Sequence, residues 1–347
     1  MRIFVFEYLT GGGLLAGDDS LPGRASLARE GATMVTALAA DFARVPGAEV
    51  VVLRDPCVRL PVLDRVETRL VRTVAERDEA FAAEAAMADA TIVIAPECDG
   101  ILLRCVERVM QCGGNLLGPG PELVRLAADK HATTEQLGEA GVPVPRGAVL
   151  PAPGTWPREL AFPLVLKPRD GAGSQGLRLL DGPLPAVEWP ADPARWRIEE
   201  FRSGVAASVA VLCGPAGHVP LQPCEQKLAT DGTFQYQGGS LPLDEALSQR
   251  AAQLAGRTAA ALPAPRGYIG IDMVLGDRPD GSDDVVIEIN PRLTTSYVGM
   301  RAATRDNLAG AMLAVAGGER PTLTWTNDRW EFTADGVVTR PTAAARH

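Results

Sequence analysis

The sequence predicts an α/β protein, and three observations support that fold class. Short apolar runs alternate with helical runs from residue 1 to residue 117, as in a Rossmann-like domain with a parallel sheet and flanking helices. The segment Gly118–Pro121, with sequence Gly-Pro-Gly-Pro, then marks a domain boundary. Beyond it, two pairs of extended runs, each joined by a turn-rich segment, predict antiparallel hairpins in a second unit.

Composition limits the classes of protein that fit. The chain has 347 residues, enough for two or three domains, and its 46% hydrophobic and 22% charged content is ordinary for a soluble protein. The net charge of −9 argues against a nucleic-acid partner. The apolar start Met1–Leu9 is too short for a signal peptide, and no apolar run approaches the ~20 residues that span a bilayer. We therefore expect a cytoplasmic enzyme or binding protein without a membrane segment.

The six cysteines form no C-x-x-C pair, so buried, reduced thiols are expected rather than a zinc site or disulfides. The chain also has no recognisable Ser-His-Asp or Cys-His arrangement, which disfavours a covalent enzyme nucleophile.

In the first domain, the pattern predicts strands and helices in alternation: strands at 2–8, 49–53 and 91–95, and helices at 25–44, 76–87 and 100–111. A turn of three glycines, Gly11, Gly12 and Gly13, follows the first strand, where parallel sheets bind ligands. It lacks the G-x-G-x-x-G spacing of a dinucleotide site. Two interpretations stay open, a plain flexible turn and a substrate loop.

After the boundary, the pattern predicts a helix at 122–140 that carries Lys130, then a strand ending near Lys167. The following loop, residues 171–176, satisfies G-x-G-x-x-G through Gly171, Gly173 and Gly176. A Rossmann fingerprint opens a helix, whereas residues 177–180 are typical of a return strand. The loop is therefore interpreted as a flap whose backbone N–H groups cover a triphosphate, with Lys167 adding a positive charge. A loose surface hairpin is the alternative.

The remaining runs predict a second sheet. Strands are expected at 196–201, 205–213, 219–228 and 233–238, a helix at 243–262, another at 307–315, and terminal strands within 322–338. The 196–201 strand ends in Glu199, Glu200 and Phe201, which suit either an adenine edge or a solvated strand end. Lys227 is a second lysine isolated within the sheet.

A predicted hairpin of residues 268–275 and 284–290 carries oxygen ligands. Glu288 and Asn290 are two residues apart, so both side chains leave the same face of a strand. Pairing of the two runs brings Asp272 beside them. Such oxygen ligands suit Mg²⁺ together with nucleotide phosphates. The alternative is a strand with an exposed polar face.

These features in their order along the chain resemble the ATP-grasp superfamily of carboxylate–amine ligases, from Leu117 to about Val315. The ordered set is Lys130, Lys167 with its glycine loop, Glu199–Glu200–Phe201, Lys227, Asp272 and the Glu288-x-Asn290-Pro291-Arg292 motif. The preceding α/β segment resembles the N-terminal domain that these enzymes usually carry. Three stretches, 6–13, 225–228 and 290–297, are similar to the tyramine–glutamate ligase group of methanofuran-type cofactor biosynthesis.

The resemblance implies a role for each matching residue. Lys130, Lys167 and Lys227 would bind ATP, and the Gly171–Gly176 flap, with Gly173 and Ser174, would close over its phosphates. Glu199 or Glu200 and the Phe201 backbone would contact adenine. Asp272, Glu288 and Asn290 would hold Mg²⁺, with Mn²⁺ as a substitute. Arg292, with Lys167 and Lys227, would stabilise the reacting groups; the substrates would contact Gly11, Gly12, Gly13, Thr294, Thr295 and Ser296.

One region departs from the family's pattern. Many relatives carry a glutamate for the ribose hydroxyls shortly after the hinge, but here that region reads Gly204-Val205-Ala206-Ala207-Ser208. Ribose recognition is therefore unassigned.

The expected domains are residues 1–117, a central subdomain at 118–198, a metal-bearing subdomain at 199–330, and a terminal strand and tail at 331–347. The expected reaction joins glutamate, through its γ-carboxylate, to tyramine, tyrosine or a related amine by way of an acyl phosphate. Small-molecule substrates and a homodimer fit this expectation. Alternatives are another ATP-grasp amino-acid ligase, a nicotinamide-dependent oxidoreductase that uses the 171–176 glycines, and a non-catalytic ATP-binding module.

Overall fold

A computed structural model describes residues 1–16, 24–171 and 176–341. Its N-terminal domain contains a four-stranded parallel sheet in the order β3-β2-β1-β4, which confirms the Rossmann-like prediction. The strands are β1 (Arg2–Glu7), β2 (Glu49–Arg54), β3 (Val66–Leu70) and β4 (Ala90–Ile94). Strand β3 was not predicted, because it lies at the sheet edge and four of its five residues are exposed, which removes the apolar signal.

Both faces of this parallel sheet are covered by helices, which explains the continuous apolar runs in its strands. The helices are α1 (Arg24–Ala43), α2 (Val74–Met87) and α3 (Ile101–Gln111). Ile3 and Val5 of β1 pack in the same core as α1, whereas Phe4 and Phe6 pack against α2 and α3 on the opposite face. The predicted helices agree with these bounds to within two residues.

The single helix predicted at 122–140 is wrong, because the chain breaks at Asp129. The structure has α4 (Pro121–Ala128) and α5 (Lys130–Glu139). Asp129 has an extended backbone and caps α5, accepting the N–H groups of His131 at 2.9 Å and Ala132 at 3.2 Å. This break places Lys130 at the first turn of α5, where its own N–H donates to the Arg169 carbonyl at 3.0 Å.

A small antiparallel sheet follows, in the order β5-β8-β6-β7. Its strands are β5 (Gly147–Val149), β6 (Leu164–Pro168), β7 (Arg178–Leu180) and β8 (Trp196–Glu200). Strands β6 and β7 pair antiparallel, with Leu164 opposite Leu180, which confirms the predicted hairpin around the glycine loop. No helix follows the loop in this part of the chain, so the context required for a dinucleotide fingerprint is missing.

The largest sheet has eight strands in the order β14-β13-β9-β11-β12-β15-β16, with β10 paired to β9. Their bounds are β9 (Val205–Gly214), β10 (Gly217–Pro220), β11 (Cys224–Leu228), β12 (Tyr236–Leu241), β13 (Gly267–Leu275), β14 (Val285–Asn290), β15 (Trp330–Thr333) and β16 (Val338–Thr339). The single strand predicted at 219–228 is wrong. Pro220 and Pro223 flank the break between β10 and β11, where proline provides no N–H for a sheet ladder.

Helices cover both faces of the large sheet: α6 (Glu245–Ala261) lies on one, and α7 (Ser296–Ala303) and α8 (Leu308–Ala316) lie on the other. Helix α7 was not predicted. Its face of the sheet shares one hydrophobic core with α1 of the N-terminal domain, through Leu38, Phe42, Met300 and Met312. The first domain is thereby packed directly against the sheet that carries the predicted metal hairpin.

Two further expectations concern the whole chain. No helix among the described residues is long and apolar enough to cross a membrane. All six cysteines are free, as expected, although only Cys213 and Cys224 are buried.

Candidate active site

One cavity of about 630 Å³ lies where the small sheet faces the large sheet, and α1 closes part of its wall. Strands β6 and β8 contribute Lys167, Glu199 and Glu200 to its lining. The opposite wall comes from β9, β11, β12, β13 and β14 of the large sheet. Most of the residues singled out in the sequence meet here, although they come from two sheets, two helices and the loops between these elements.

Lys130 links three elements of the cavity. Its ammonium lies 2.8 Å from Glu288 Oε1 on β14 and donates to the Gly171 carbonyl at 2.6 Å. Burial lowers the pKa of this amine, but the negative charge of Glu288 outweighs it, and the pKa is raised. Lys130 is therefore a buried cation beside the glycine loop.

Lys167 is held by a chain of buried charges. Its Nζ lies 2.5 Å from Glu199 Oε1, and the other oxygen of Glu199 accepts from Arg197 Nε at 2.8 Å. Arg197 has no exposed surface, and its Nη1 donates to His131 Nδ1 at 2.6 Å. Two cations thus neutralise Glu199, which makes it the counter-ion that positions Lys167 and leaves it little capacity to accept from adenine. Arg197 was not among the predicted site residues.

At the carboxyl end of β8, Glu200 and the following Phe201 also line the cavity. Glu200 forms an ion pair with Arg146 at 3.5 Å. The Phe201 N–H already donates to the Pro163 carbonyl at 3.0 Å, so it cannot also donate to a base. The Phe201 ring instead stacks on Phe234, with 6.0 Å between centroids and 27° between planes. Phe234 was not among the predicted site residues. The sequence predicted a strand at 233–238, whereas β12 begins at Tyr236 and leaves Phe234 in the preceding loop.

The β13–β14 hairpin forms as predicted and places its oxygen atoms together. Asp272 lies directly opposite Glu288, and Asn290 Nδ2 donates to Asp272 Oδ2 at 3.0 Å. Burial raises the pKa of Asp272 to about 6, and the charge of Glu288 adds to the rise. No cation lies within ion-pairing distance of Asp272 in the described part of the chain.

This arrangement fits a divalent cation completed by outside ligands. Two carboxylates share one face of the hairpin with the oxygen of Asn290, whose amide nitrogen is turned to Asp272. Among the described residues, no group of three His, Cys, Asp or Glu side chains could by itself hold a metal ion. Phosphate oxygens and water would therefore complete the coordination, as is typical of Mg²⁺.

Arg292 follows the hairpin and forms a two-point ion pair with Glu97. Its Nε lies 2.8 Å from Glu97 Oε1, and its Nη2 donates to Oε2 at 3.0 Å. Glu97 is buried in the loop after β4 and belongs to the N-terminal domain. Glu97 was not predicted, but its position just beyond the carboxyl end of a parallel strand is the signal that could have identified it.

The predicted substrate residues Thr294, Thr295 and Ser296 also line the cavity. Thr294 Oγ1 lies 2.7 Å from the Tyr268 hydroxyl and 2.8 Å from Ser296 Oγ. The flap residues Gly171 and Gly176 line the cavity as well, whereas Gly173 and Ser174 lie outside the described residues.

Lys227 does not reach the cavity, contrary to expectation. Its neighbours Gln226 and Leu228 line the cavity, while Lys227 Nζ lies 3.0 Å from Glu331 on β15. Alternation of side chains along β11 turns Lys227 to the opposite face from Gln226. The order of residues along the strand does not show which of its two faces lines the cavity.

The glycine turn also lies outside the cavity lining. The Gly11 N–H donates to the Glu7 carbonyl at 2.8 Å, and the Gly13 N–H donates to the Tyr8 carbonyl at 2.7 Å. A Cβ atom on Gly11 would lie 2.6 Å from the Glu7 carbonyl oxygen. Close backbone packing therefore explains these glycines, as in the plain-turn interpretation.

Fold and cavity together define a protein of the ATP-grasp class, in which two sheets enclose a nucleotide. The comparisons agree. Residues 127–296 match the ATP-grasp domain family, and residues 48–124 match the pre ATP-grasp 3 domain. The chain belongs to the ATP-grasp superfamily.

Individual proteins of the superfamily show a measurable similarity to this chain. The chain is 26% identical to a tyramine–L-glutamate ligase from Methanocaldococcus jannaschii over 67% of its own length and 64% of that protein, less than two thirds of it. A putative ATP-grasp superfamily protein from Archaeoglobus fulgidus superimposes with a TM-score of 0.71 at 22% identity, covering 96% and 92% of the two chains. A biotin carboxylase domain from Hydrogenobacter thermophilus, solved with MgADP, superimposes at 0.69 and 14% identity, covering 95% and 73%.

Proposed function

We propose that this protein is an ATP- and Mg²⁺-dependent ligase that joins a carboxylate to an amine through an acyl phosphate. The observation that carries the proposal is the cavity itself. Two buried lysines, Lys130 and Lys167, and the paired carboxylates Asp272 and Glu288 line one space of about 630 Å³, where Lys130 lies 2.8 Å from Glu288. Cations and metal-binding carboxylates around one space suit the phosphates of a nucleotide.

Each charged residue of the cavity would have a separate role in the reaction. Asp272, Glu288 and Asn290 would hold Mg²⁺, which when bound supplies positive charge to the phosphate oxygens. Lys130 and Lys167 would neutralise the remaining phosphate charge, and Arg292 would face the reacting carboxylate. Neither lysine is exposed, so each acts in a poorly hydrated site where electrostatic stabilisation is strong.

The reaction then needs no covalent enzyme intermediate. A carboxylate oxygen of the donor attacks the γ-phosphorus, and the bond to ADP breaks. The neutral amine attacks the acyl carbon, phosphate leaves with the bonding electron pair, and the amine loses a proton to phosphate or solvent. Positioning and charge stabilisation account for the catalysis.

For substrates, we propose glutamate, activated at its γ-carboxylate, and tyramine, tyrosine or a related aromatic amine, in methanofuran-type cofactor biosynthesis. The resemblance to the M. jannaschii tyramine–L-glutamate ligase supports this choice. Mn²⁺ would replace Mg²⁺ at the same oxygen ligands. The division into four segments expected from the sequence, the absence of a nucleic-acid partner and a homodimeric assembly stay part of the proposal.

An ADP-release assay tests the proposal. Purified protein with Mg²⁺ and ATP is screened with glutamate against aromatic amines, and the product mass is measured. We expect ADP and an amide product that both depend on the two substrates. Glu288→Gln removes a proposed metal ligand and should reduce turnover by roughly 100-fold or more, whereas the exposed Glu139→Gln should not. ATP binding without ADP release for any substrate pair would instead indicate a non-catalytic module.

A further inference from the structure

The cavity extends past the phosphate-binding residues to a wall formed by α1. Ser26, Leu27 and Glu30 of this helix line the same space as Arg292 and Thr295. These α1 residues belong to the N-terminal domain and were not predicted as site residues. The cavity therefore has polar groups from α1 in addition to the residues proposed to hold the phosphates and the metal ion.

Glu30 is the acidic group of this wall. It is half-buried, and its recorded hydrogen-bond partner is Ser26 Oγ at 3.2 Å. No Lys, Arg or His nitrogen lies within 4 Å of its carboxylate in the described part of the chain. Burial raises the pKa of Glu30, and the positive charges of Arg292 and Arg29 and the bond from Ser26 oppose the rise. By contrast, Glu97 and Glu288 each have a cationic partner.

The position of Glu30 is fixed by the packing of α1 on α7. Asp41, further along α1, accepts from the Tyr297 hydroxyl at 2.7 Å and from Arg301 Nε at 3.0 Å. Asp41 has no exposed surface. The two helices are thus joined by buried charged groups, and α1 places Glu30 in the wall of the cavity that the Thr294–Ser296 segment also lines.

A carboxylate in such a wall favours a positively charged group of the ligand. An attacking amine must be neutral, and a close carboxylate would keep it protonated and suppress attack. Glu30 therefore suits an ammonium that does not react. In an amino-acid donor activated at its side-chain carboxylate, the α-ammonium is such a group.

We propose that Glu30 binds the α-ammonium of an amino-acid acyl donor whose distal carboxylate reacts near Arg292. This inference rests on the proposed function for the identity of the reaction. The inference adds that Glu30 lets the enzyme distinguish an amino-acid donor from a dicarboxylate that lacks the ammonium group. The determinant of that recognition comes from the N-terminal domain, not from the ATP-grasp domain.

The test compares glutamate with glutarate, which has both carboxylates and lacks the ammonium. In the ADP-release assay, Glu30→Gln should raise KM for glutamate roughly 10- to 100-fold, because a charge-assisted hydrogen bond is lost. KM for ATP and for glutarate should stay unchanged. Glu30→Asp should recover part of the glutamate affinity, and Glu139→Gln serves as the matched surface control.

An unchanged KM for glutamate in Glu30→Gln would overturn the inference, and so would an equal loss for glutamate and glutarate. Calorimetric binding of glutamate in the presence of Mg²⁺ and a non-hydrolysable ATP analogue separates this result from failure of the proposed function. Glutamate binding that depends on Glu30 without any ADP release would keep the inference and reject the ligase. Binding that is absent, or unaffected by Glu30→Gln, would reject the inference itself.

Discussion

The Lys130 ammonium lies 2.8 Å from Glu288 Oε1 and 2.6 Å from the Gly171 carbonyl oxygen. One cation thus connects the first turn of α5, the β13–β14 hairpin and the base of the glycine loop. A bound triphosphate would compete with Glu288 for this cation and would release the carboxylate to a metal ion. Lys130 and Glu288 are therefore expected to act together on Mg²⁺-ATP.

Lys130→Met removes the charge but keeps most of the buried side chain. We expect the dissociation constant for a non-hydrolysable Mg²⁺-ATP analogue to rise roughly 10- to 100-fold, because a charge-assisted contact to phosphate is lost. Isothermal titration calorimetry measures the change. Glu288 then lacks its cation, so the apparent affinity for Mg²⁺ without nucleotide is expected to rise. Unchanged nucleotide affinity would exclude Lys130 from the phosphate site.

Lys167 and Lys227 form a matched pair, since both lie on strands and both have a glutamate partner. Lys167 is buried in the cavity wall, whereas 43% of the Lys227 side chain is exposed. We expect Lys167→Met to lower kcat/KM by roughly 100-fold or more and Lys227→Met to change it less than about threefold. Equal losses of kcat/KM in the two variants would mean that Lys227 does belong to the active site. Circular dichroism confirms that each variant is folded.

The buried contacts of Asp41 with Tyr297 and Arg301 should stabilise the packing of α1 on α7. Arg301→Ala leaves the buried carboxylate with the Tyr297 hydroxyl and one exposed cation, Arg44, and should lower the free energy of unfolding by about 3 kcal/mol. Tyr297→Phe removes one hydrogen bond to a charged group and should lower it by about 2 kcal/mol. Urea denaturation measures both. Losses below about 0.5 kcal/mol would show that these contacts do not secure the interface.

Glu7 predicts a pH dependence of stability. Burial raises its pKa to about 7 in the folded protein, against the effect of the N–H groups of Thr10 and Leu9. A raised folded-state pKa means that its contribution is complete below the unfolded pKa of about 4.5 and is lost as the pH rises through about 7.

The corresponding experiment compares wild type with Glu7→Gln by urea denaturation from pH 4.5 to pH 8. The difference in unfolding free energy, wild type minus variant, should fall by at most about 3 kcal/mol across this range. Glu139→Gln, an exposed surface change, should show no such trend. A difference independent of pH would mean that Glu7 ionises normally in the folded protein.

Local patterns along the chain were sufficient to predict the two hairpins, β6–β7 and β13–β14. Alternating apolar residues, a lysine before the glycine loop and the spacing of Glu288 and Asn290 each depend only on near neighbours. The break at Asp129 was not predicted, because an aspartate within a helical pattern can equally be a surface residue or a cap. The break is also held by Arg169 on another element: its carbonyl accepts from the Lys130 N–H, and its guanidinium donates to the Asp129 carboxylate.

The sequence by itself determined the α/β class, the ATP-grasp resemblance and the meeting of Asp272, Glu288 and Asn290 on one hairpin, because these follow from periodicity, spacing and the order of motifs. Only the tertiary structure decided that Lys227 faces Glu331, that Glu199 holds Lys167, that Glu97 pairs with Arg292, and that Glu30 borders the cavity. The physical reason is that these contacts join residues that are far apart in the sequence. The lysine contacts depend on which strands pair within each sheet, and the positions of Glu97 and Glu30 depend on packing of the N-terminal domain against the large sheet.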